Sequence, residues 1–384
     1  MKNSKKIIIT GGGTGGHIFP AIEIALALKQ HDASIDFLFV GSLGKIEMKK
    51  VPNYGFKIIG LWIQGIHRKS LLKNILFPIK LLISLIHSLI IILIYKPNVV
   101  IGTGGYASGP VIFIASILKI PTYIQEQNSV PGITNQILSK RANKIFVAYD
   151  KMDVFFEKNK IIVTGNPVRK SLSNKNITLH KSRSFFKLKS ELFTILVVGG
   201  SLGAKPINNV ILELLKMKKV DLLPKKRLQL IWQTGPDHYS EILNKLNTEI
   251  DVASSMFCNI SVHEFIDAMD LAYKAADVVI SRAGAIAIAE ICYLKKASVL
   301  IPSPFVADDH QKKNAQYLMN QNASIVINND GLVDGNRLIK EIQNLQDNLN
   351  LISELGTNAH NLFLYNSSDL ISRFIINQHF NDDQ

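Results

Sequence analysis

A histidine closes the first of two glycine-rich turns in this chain, and the chemistry starts there. Gly11-Gly12-Gly13-Thr14-Gly15-Gly16-His17 follows the apolar run Ile7-Ile8-Ile9-Thr10. In the other half, Gly199-Gly200-Ser201-Leu202-Gly203-Ala204 follows Ile195-Leu196-Val197-Val198. A strand that ends in glycines and passes into a helix points backbone N–H groups outward at the positive end of the helix dipole, which makes an anion site. Two such turns imply two nucleotide-type domains, whose facing ends would hold a phosphorylated donor and a phosphorylated acceptor together. A histidine at the mouth of such a site, with an ordinary pKa of about 6.5, suits a general base, a phosphate carrier or a plain helix-start residue.

Three other segments carry polar groups at strand ends. Glu126-Gln127-Asn128 follows Thr122–Gln125, where open α/β sheets bind ligands; the nearby Ser129, Pro131 and Gly132 equally suit a turn. Ser281-Arg282-Ala283-Gly284 ends another strand, and Glu290 lies one to two turns into the helix that follows. Its Ala, Ile and Cys neighbours argue against a solvated face, and a carboxylate there suits ribose hydroxyls. Asp308-Asp309-His310 offers metal-type ligands, but consecutive residues seldom converge on one ion. Gly11-x-Gly13-x-x-Gly16 matches the dinucleotide fingerprint literally, yet the second strand ends Val40-Gly41-Ser42 without the acidic residue that would hold a ribose, and Asp36 falls too early. No Walker loop occurs at any glycine turn.

The elements that must position these groups alternate. Strands are expected at Ile7–Thr10, Ile35–Val40, Val99–Gly102, Thr122–Gln125, Lys144–Val147 and Ile161–Val163, and again at Thr194–Val198, Leu228–Gln233, Val278–Ser281 and Ser298–Ile301. Helices are expected at Pro20–Gln30 and Val111–Leu118, so right-handed βαβ units build parallel sheets. A length of 384 residues with 47% apolar content fits two or three domains. The polar stretch from Asn166 to about Phe186 reads as a linker. The net charge of +14, from 44 Lys+Arg against 30 Asp+Glu, points to an anionic partner, although a Lys-, Ile- and Asn-rich composition gives part of it without function. Cys258 and Cys292 lack metal or disulfide spacing, and no secretory leader precedes the first strand, as in a cytoplasmic protein. Ile75–Tyr95 is almost continuously apolar behind His67, Arg68, Lys69 and Lys73. It reads as a membrane span, a buried helix or, favoured by its surplus apolarity, a helix with one face in the lipid interface.

Seven ordered segments together resemble a known family. They are Gly12-Gly13-Thr14-Gly15-Gly16-His17, Gly102-Thr103-Gly104-Gly105-Tyr106, Glu126-Gln127-Asn128, Gly165-Asn166-Pro167-Val168-Arg169, Gly199-Gly200-Ser201-Leu202-Gly203-Ala204, Ser281-Arg282-Ala283-Gly284 and His310-Gln311-x-x-Asn314-Ala315. From about residue 5 to 320 the chain is similar to the peptidoglycan glycosyltransferases that add N-acetylglucosamine to undecaprenyl-pyrophosphoryl-muramyl-pentapeptide, converting lipid I to lipid II. The resemblance implies an α/β GT-B fold, with two Rossmann-like domains whose parallel sheets face a central cleft. Residues 1–167 would form the acceptor domain, completed by a helix at about 360–380, and 168–359 the donor domain. It also implies inverting transfer from UDP-N-acetylglucosamine without cofactor or metal, by a peripheral enzyme on an anionic membrane surface, the cytoplasmic face of the inner membrane.

Carried over by motif, the donor contacts fall on Thr14, Gly15, Gly16, Asn128, Arg169, Ser201, Ile266, Ala285, Ile286, Ala287, Ile288, Ala289, Glu290 and Gln311. Ile266 would meet the uracil, Ser201 the diphosphate, Glu290 the ribose, and Asn128 with Gln311 the sugar. Gly12, Gly13, Thr103, Gly104, Gly105 and Tyr106 would cradle the acceptor's diphosphate, with His17 as the leading base and Glu126 a weaker one. Ala287 and Ala289 stand where the family carries hydroxyls, and Gln125 where a histidine is common. The rival within enzymes is another GT-B transferase with a lipid or diglyceride acceptor. A nucleic-acid-binding module is disfavoured, because no aromatics interleave a basic face.

Overall fold

The structure is a computed structural model that describes residues 5–65, 74–217, 227–250, 255, 257–304, 309–329, 331–364 and 366–380. The basic residues His67, Arg68, Lys69 and Lys73, and Asp308 of the expected acidic cluster, lie outside the described residues. The chain divides into two compact units, Met1–Arg169 with Leu364–Gln384, and Lys170–Phe363.

In the first unit β1 (Lys6–Thr10), β2 (Asp36–Ser42), β3 (Lys57–Leu61), β4 (Val99–Gly102), β5 (Thr122–Glu126), β6 (Lys144–Val147) and β7 (Ile161–Val163) form one parallel sheet in the order β3-β2-β1-β4-β5-β6-β7. Ile8 is flanked by Leu38 and Val100. Helices on both faces explain why Ile7, Ile8 and Ile9 are wholly buried and read as an unbroken apolar run rather than an alternating one. The helices are α1 (Gly15–His31), α2 (Glu47–Asn53), α3 (Phe77–Tyr95), α4 (Ser108–Ile117) and α5 (Ile133–Ser139). Helix α1 begins five residues before the expected Pro20, which lies inside its second turn.

The second unit repeats the plan. Its strands β8 (Phe193–Val198), β9 (Leu228–Gln233), β10 (Phe257–His263), β11 (Val278–Ser281), β12 (Ala297–Leu300) and β13 (Ile325–Val326) are parallel in the order β10-β9-β8-β11-β12-β13. Its helices are α6 (Leu179–Phe185), α7 (Lys205–Lys216), α8 (Pro236–Glu249), α9 (Met269–Ala275), α10 (Ala285–Tyr293), α11 (His310–Asn320), α12 (Gly335–Asp347) and α13 (Leu349–Asn361). In both sheets the strand order reverses beside the first strand, between β1 and β4 and between β8 and β11. Ligands of open α/β sheets bind at the carboxyl ends of such strands.

Of the stretch expected to be a linker, residues 166–169 stay with the first unit and residues 170–186 are folded into the second, so the boundary between the units falls inside it. Arg183 on α6 is 3% exposed and donates to the carbonyls of Ala275 and Ser190 and to Asp277. A cation that caps the C-terminal end of α9 and pairs with a carboxylate can be buried, whatever the polarity of its neighbours. The last helix, α14 (Ser367–His379), packs on α1 in the first unit. Ser367 Oγ donates to Gly165 O at 2.8 Å, and His379 Nε2 meets the Tyr123 hydroxyl at 2.7 Å beside the rings of Phe146 and Phe374. Burial holds the His379 imidazole below the usual histidine range.

Helices α3 and α4 end in lysines, Lys96 and Lys119, with φ of +54° and +59°. Both side chains are exposed. A Cβ in this left-handed region costs about 1 kcal/mol that glycine avoids. The double variant Lys96→Gly/Lys119→Gly is expected to raise the melting temperature of the protein by several degrees, for a gain of about 1–2 kcal/mol. An unchanged or lower melting temperature refutes the strain.

Candidate functional site

In the first unit three strand ends are laced together at the point where strand order reverses. Gly12 N donates to Gly104 O at 3.3 Å. A Cβ on Gly105, whose φ is +86°, would stand 2.2 Å from Gly12 O, so only glycine lets these two turns interlock. His17 lies in the first turn of α1, half-buried, with Nδ1 3.0 Å from Thr103 O and 3.1 Å from Gln127 Oε1. The Thr103 hydroxyl donates back to His17 O at 2.9 Å. Two oxygen acceptors on Nδ1 place its proton there, so Nε2 carries the lone pair of the neutral ring. The neutral ring thus presents Nε2 as its unprotonated nitrogen.

Several expected phosphate contacts are contradicted by these same bonds. The Gly13 N–H is taken by the Glu47 carboxylate, at 3.0 and 2.9 Å from its two oxygens, and the Gly12 N–H by Gly104. Glu47, wholly buried, also accepts from Ser42 N at 2.9 Å. With the Glu47 carboxylate on the Gly13 amide and the Gly104 carbonyl on the Gly12 amide, neither N–H is turned to a diphosphate, and the carboxylate repels one. Thr103 is fully buried with its hydroxyl and carbonyl engaged, and Gly104 is buried against the His17 ring. What stays open at this end is Thr14, Gly16, Gly105 and Tyr106, the last 47% exposed, while Gly15 is buried at the helix start.

Glu126 needs the same correction. Its carboxylate is 1% exposed and accepts four hydrogen bonds, from Asn128 N and Nδ2 at 3.0 and 3.1 Å, Gly132 N at 3.2 Å and Asn135 Nδ2 at 2.8 Å. A carboxylate so satisfied is an anchor for the 127–132 loop, its oxygens taken by donors of the protein itself. It sets Asn128, the expected sugar contact. Arg169 lies with its guanidinium 4.5 Å from the Phe19 ring centre, a cation–π arrangement that fixes the planar group beside α1.

The second unit builds a comparable end. Gly200 has φ +97°, and a Cβ on Gly203 would stand 1.9 Å from Thr234 O, so the turn holding Ser201 locks onto the β9 end. Gln233, which sequence reasoning missed, joins two predicted sites. Its Nε2 donates to Gly200 O at 2.9 Å and its Oε1 accepts from Ile266 N at 2.8 Å. Ile266 is 3% exposed, and its N–H is taken by Gln233. Arg282, buried to 7% exposure, donates to Ile301 O and Pro302 O at 2.9 and 3.0 Å. Burial lowers its pKa to about 10. Asn314 on α11 reaches Ala283 O at 3.3 Å, and Gln311 accepts from Ser303 N at 2.9 Å. These bonds fix the entry to α10, where Ala285, Ile286, Ile288 and Ala289 are buried and Ala287 half-buried. With no hydroxyls there, only backbone amides of the first turn can meet an anion. Glu290, 2% exposed, accepts from the Tyr273 hydroxyl at 3.1 Å.

Two parallel-sheet α/β units, each with glycine turns at the point of strand reversal, are the architecture of a GT-B-type fold. The model for the glycosyltransferase family 28 N-terminal domain matches residues 7–147, and that for its C-terminal domain residues 194–372. The chain belongs to glycosyltransferase family 28. It is 48% identical over 322 residues, 84% of each chain, to a Flavobacterium psychrophilum protein named UDP-N-acetylglucosamine--N-acetylmuramyl-(pentapeptide) pyrophosphoryl-undecaprenol N-acetylglucosamine transferase. A Phocaeicola vulgatus protein of the same name is 45% identical over 97% of this chain and 96% of its own. Among solved structures, MurG of Acinetobacter baumannii matches with a TM-score of 0.70 at 27% identity, covering 97% of this chain and 99% of that one. A Neisseria meningitidis UDP-GlcNAc 2-epimerase shares the fold at a TM-score of 0.68 and 14% identity.

Proposed function

We propose that this glycosyltransferase moves N-acetylglucosamine from UDP-N-acetylglucosamine to the muramyl sugar of undecaprenyl-pyrophosphoryl-N-acetylmuramyl-pentapeptide, a step of peptidoglycan synthesis. The observation that carries the reading is the 42–48% identity, over most of each chain, to relatives that bear this activity in their names. In the proposed step His17 Nε2 takes the proton of the acceptor hydroxyl as its oxygen attacks the anomeric carbon. The bond to UDP breaks on the opposite face, and the configuration inverts. The Ser201 turn and the start of α10 stabilise the leaving diphosphate.

The acceptor is carried by lipid, and the first unit has a surface to match. Helix α3 is 19 residues long and apolar enough, by length and composition, to cross a bilayer. It also connects β3 to β4, parallel strands of one sheet, and packs on α4, which favours lying in the interface over crossing it. The enzyme is therefore read as peripheral, on the cytoplasmic face of the membrane. A transfer assay with radiolabelled UDP-N-acetylglucosamine and a short-chain analogue of the lipid acceptor tests the function. Label in a lipid-linked disaccharide supports it, and transfer only to a diglyceride overturns it.

Glu290 is proposed to hold the ribose hydroxyls of the donor. Glu290→Ala is expected to weaken UDP binding by about 2 kcal/mol, roughly 30-fold, since a charged acceptor is lost. Calorimetry with UDP checks it, and an affinity within threefold of the parent removes the role.

A further inference from the structure

We infer that Gln127 is a positioning residue that, together with Thr103 O, holds His17 in its Nδ1–H form and orientation, through a chain of side-chain amides running under the loops of the first unit. The inference rests on the reading of His17 as base.

Gln127 is 1% exposed, and its side-chain amide is engaged by groups of the protein itself. Its Nε2 donates to Thr103 O at 2.7 Å, to Gln125 O at 3.2 Å and to Gln125 Oε1. Three oxygens around that atom settle which end of the amide is which, because a flipped amide would set oxygen against oxygen three times. The other end, Oε1, therefore faces His17 Nδ1 at 3.1 Å as an acceptor. The chain continues beyond it. Gln125 Nε2 donates to Asn166 Oδ1 at 3.1 Å, and Asn166 Nδ2 returns to Gln127 O at 3.0 Å. Gln125 and Asn166 are themselves buried. The circuit ties together the strand ends of β1, β4 and β5 and the segment after β7. A buried network with its members paired is rigid, and one broken member leaves unpaired groups behind.

The consequence for proton transfer follows from the acceptors. Thr103 O and Gln127 Oε1 both require a hydrogen on Nδ1, which leaves Nε2 as the basic atom. Both are neutral, so the imidazolium formed when the acceptor proton arrives is stabilised by dipoles and not by an anion. The two buried carboxylates at this end of the sheet, Glu47 and Glu126, bond to backbone and amide donors instead.

The test compares Gln127→Glu and Gln127→Leu with the parent full-length protein. It follows the His17 ring nitrogens by ¹⁵N NMR, assigned with a His17→Gln control, and the pH profile of kcat. The parent is expected to show the Nδ1–H tautomer. Gln127→Glu puts a carboxylate against Nδ1, so both the His17 titration and the acid limb of kcat move up by about one pH unit or more. Gln127→Leu leaves Thr103 O as an acceptor on Nδ1, so the Nδ1–H tautomer is expected to stay while the ring loses one of its two supports, lowering kcat about tenfold or more with donor KM little changed. A parent in the Nε2–H form, or a Gln127→Glu protein whose His17 titrates as in the parent, overturns the inference. If the titration moves while the kcat profile does not, the positioning by Gln127 stands and the base role of His17 falls.

Discussion

His17→Ala is expected to lower kcat about 10³-fold while UDP binding stays within a factor of two. The size follows from the work a general base does, which is worth roughly 10²–10⁴ in rate. The separation of kcat from binding follows from placement, because the expected base, diphosphate and ribose contacts at Ile266, Ser201 and Glu290 all belong to the other unit. Alanine also removes the Nδ1 bonds to Thr103 and Gln127, so it mixes chemistry with support. His17→Asn separates them, since its amide can still donate towards Thr103 O but offers no basic nitrogen. A base predicts the same loss for Asn as for Ala; a purely structural histidine predicts recovery with Asn. Steady-state kinetics with saturating donor decides, and a kcat within threefold of the parent for Ala removes His17 from the chemistry.

That His17 was visible in the sequence and Gln127 was not has a physical explanation. A histidine directly after a glycine turn stands at a helix N-terminus whatever the rest of the fold does. Its role is local. Gln127 shares its segment with turn-forming Ser129, Pro131 and Gly132, and nothing in its type says which neighbour its amide meets. That depends on β1, β4 and β5 lying side by side, a matter of strand order. Glu47 is a clearer case. It lies in Lys45-Ile46-Glu47-Met48-Lys49-Lys50, which looks like the charged face of a surface helix. Only the packing of α2 beside the first glycine turn puts its carboxylate on the Gly13 amide. The expectation of a phosphate cradle failed at this point, because a glycine pattern gives backbone freedom but not what fills the space.

The fold was legible where strands were short, β-branched and bounded by glycine, as at Ile7–Thr10 and Val278–Ser281. Buried parallel strands carry that signature on their own. β10, which is only half-buried, and β3, whose Lys57-Ile58-Ile59-Gly60-Leu61 contains a glycine, gave weaker signals and were missed. β13 has only two residues. Arg183 shows the converse error. A polar, Lys- and Ser-rich stretch suggested a linker, yet one buried guanidinium with three partners holds it to the second unit.

Substituting Leu82, Ile86, Ile90 and Leu93 together by serine is expected to cut partitioning onto anionic phospholipid vesicles by about 10²-fold or more while the protein stays folded. The argument lies in how α3 is turned. Its apolar residues at Ile79, Leu82, Ile86, Ile90 and Leu93 recur every three or four positions and are 48–59% exposed. On its inner side stand Ser84 and Ser88, both wholly buried, with Ser84 Oγ donating to Trp62 O at 3.2 Å. A helix of a water-surrounded domain does the reverse, with serines outward and leucines inward. Small residues inside let α3 approach the body of the unit closely, and the large apolar ones outside are left for a non-aqueous neighbour. Partial burial of four such side chains in the interface is worth about 3–4 kcal/mol, which sets the expected loss. Since these side chains are exposed, their removal leaves the core intact, and a thermal melt of the variant checks that it does. Ser84→Leu gives the opposite signature, because it overfills the contact and destabilises the fold by about 1–3 kcal/mol while leaving the outer stripe in place. Vesicle partitioning of the quadruple variant equal to that of the parent would show that the stripe faces something other than lipid.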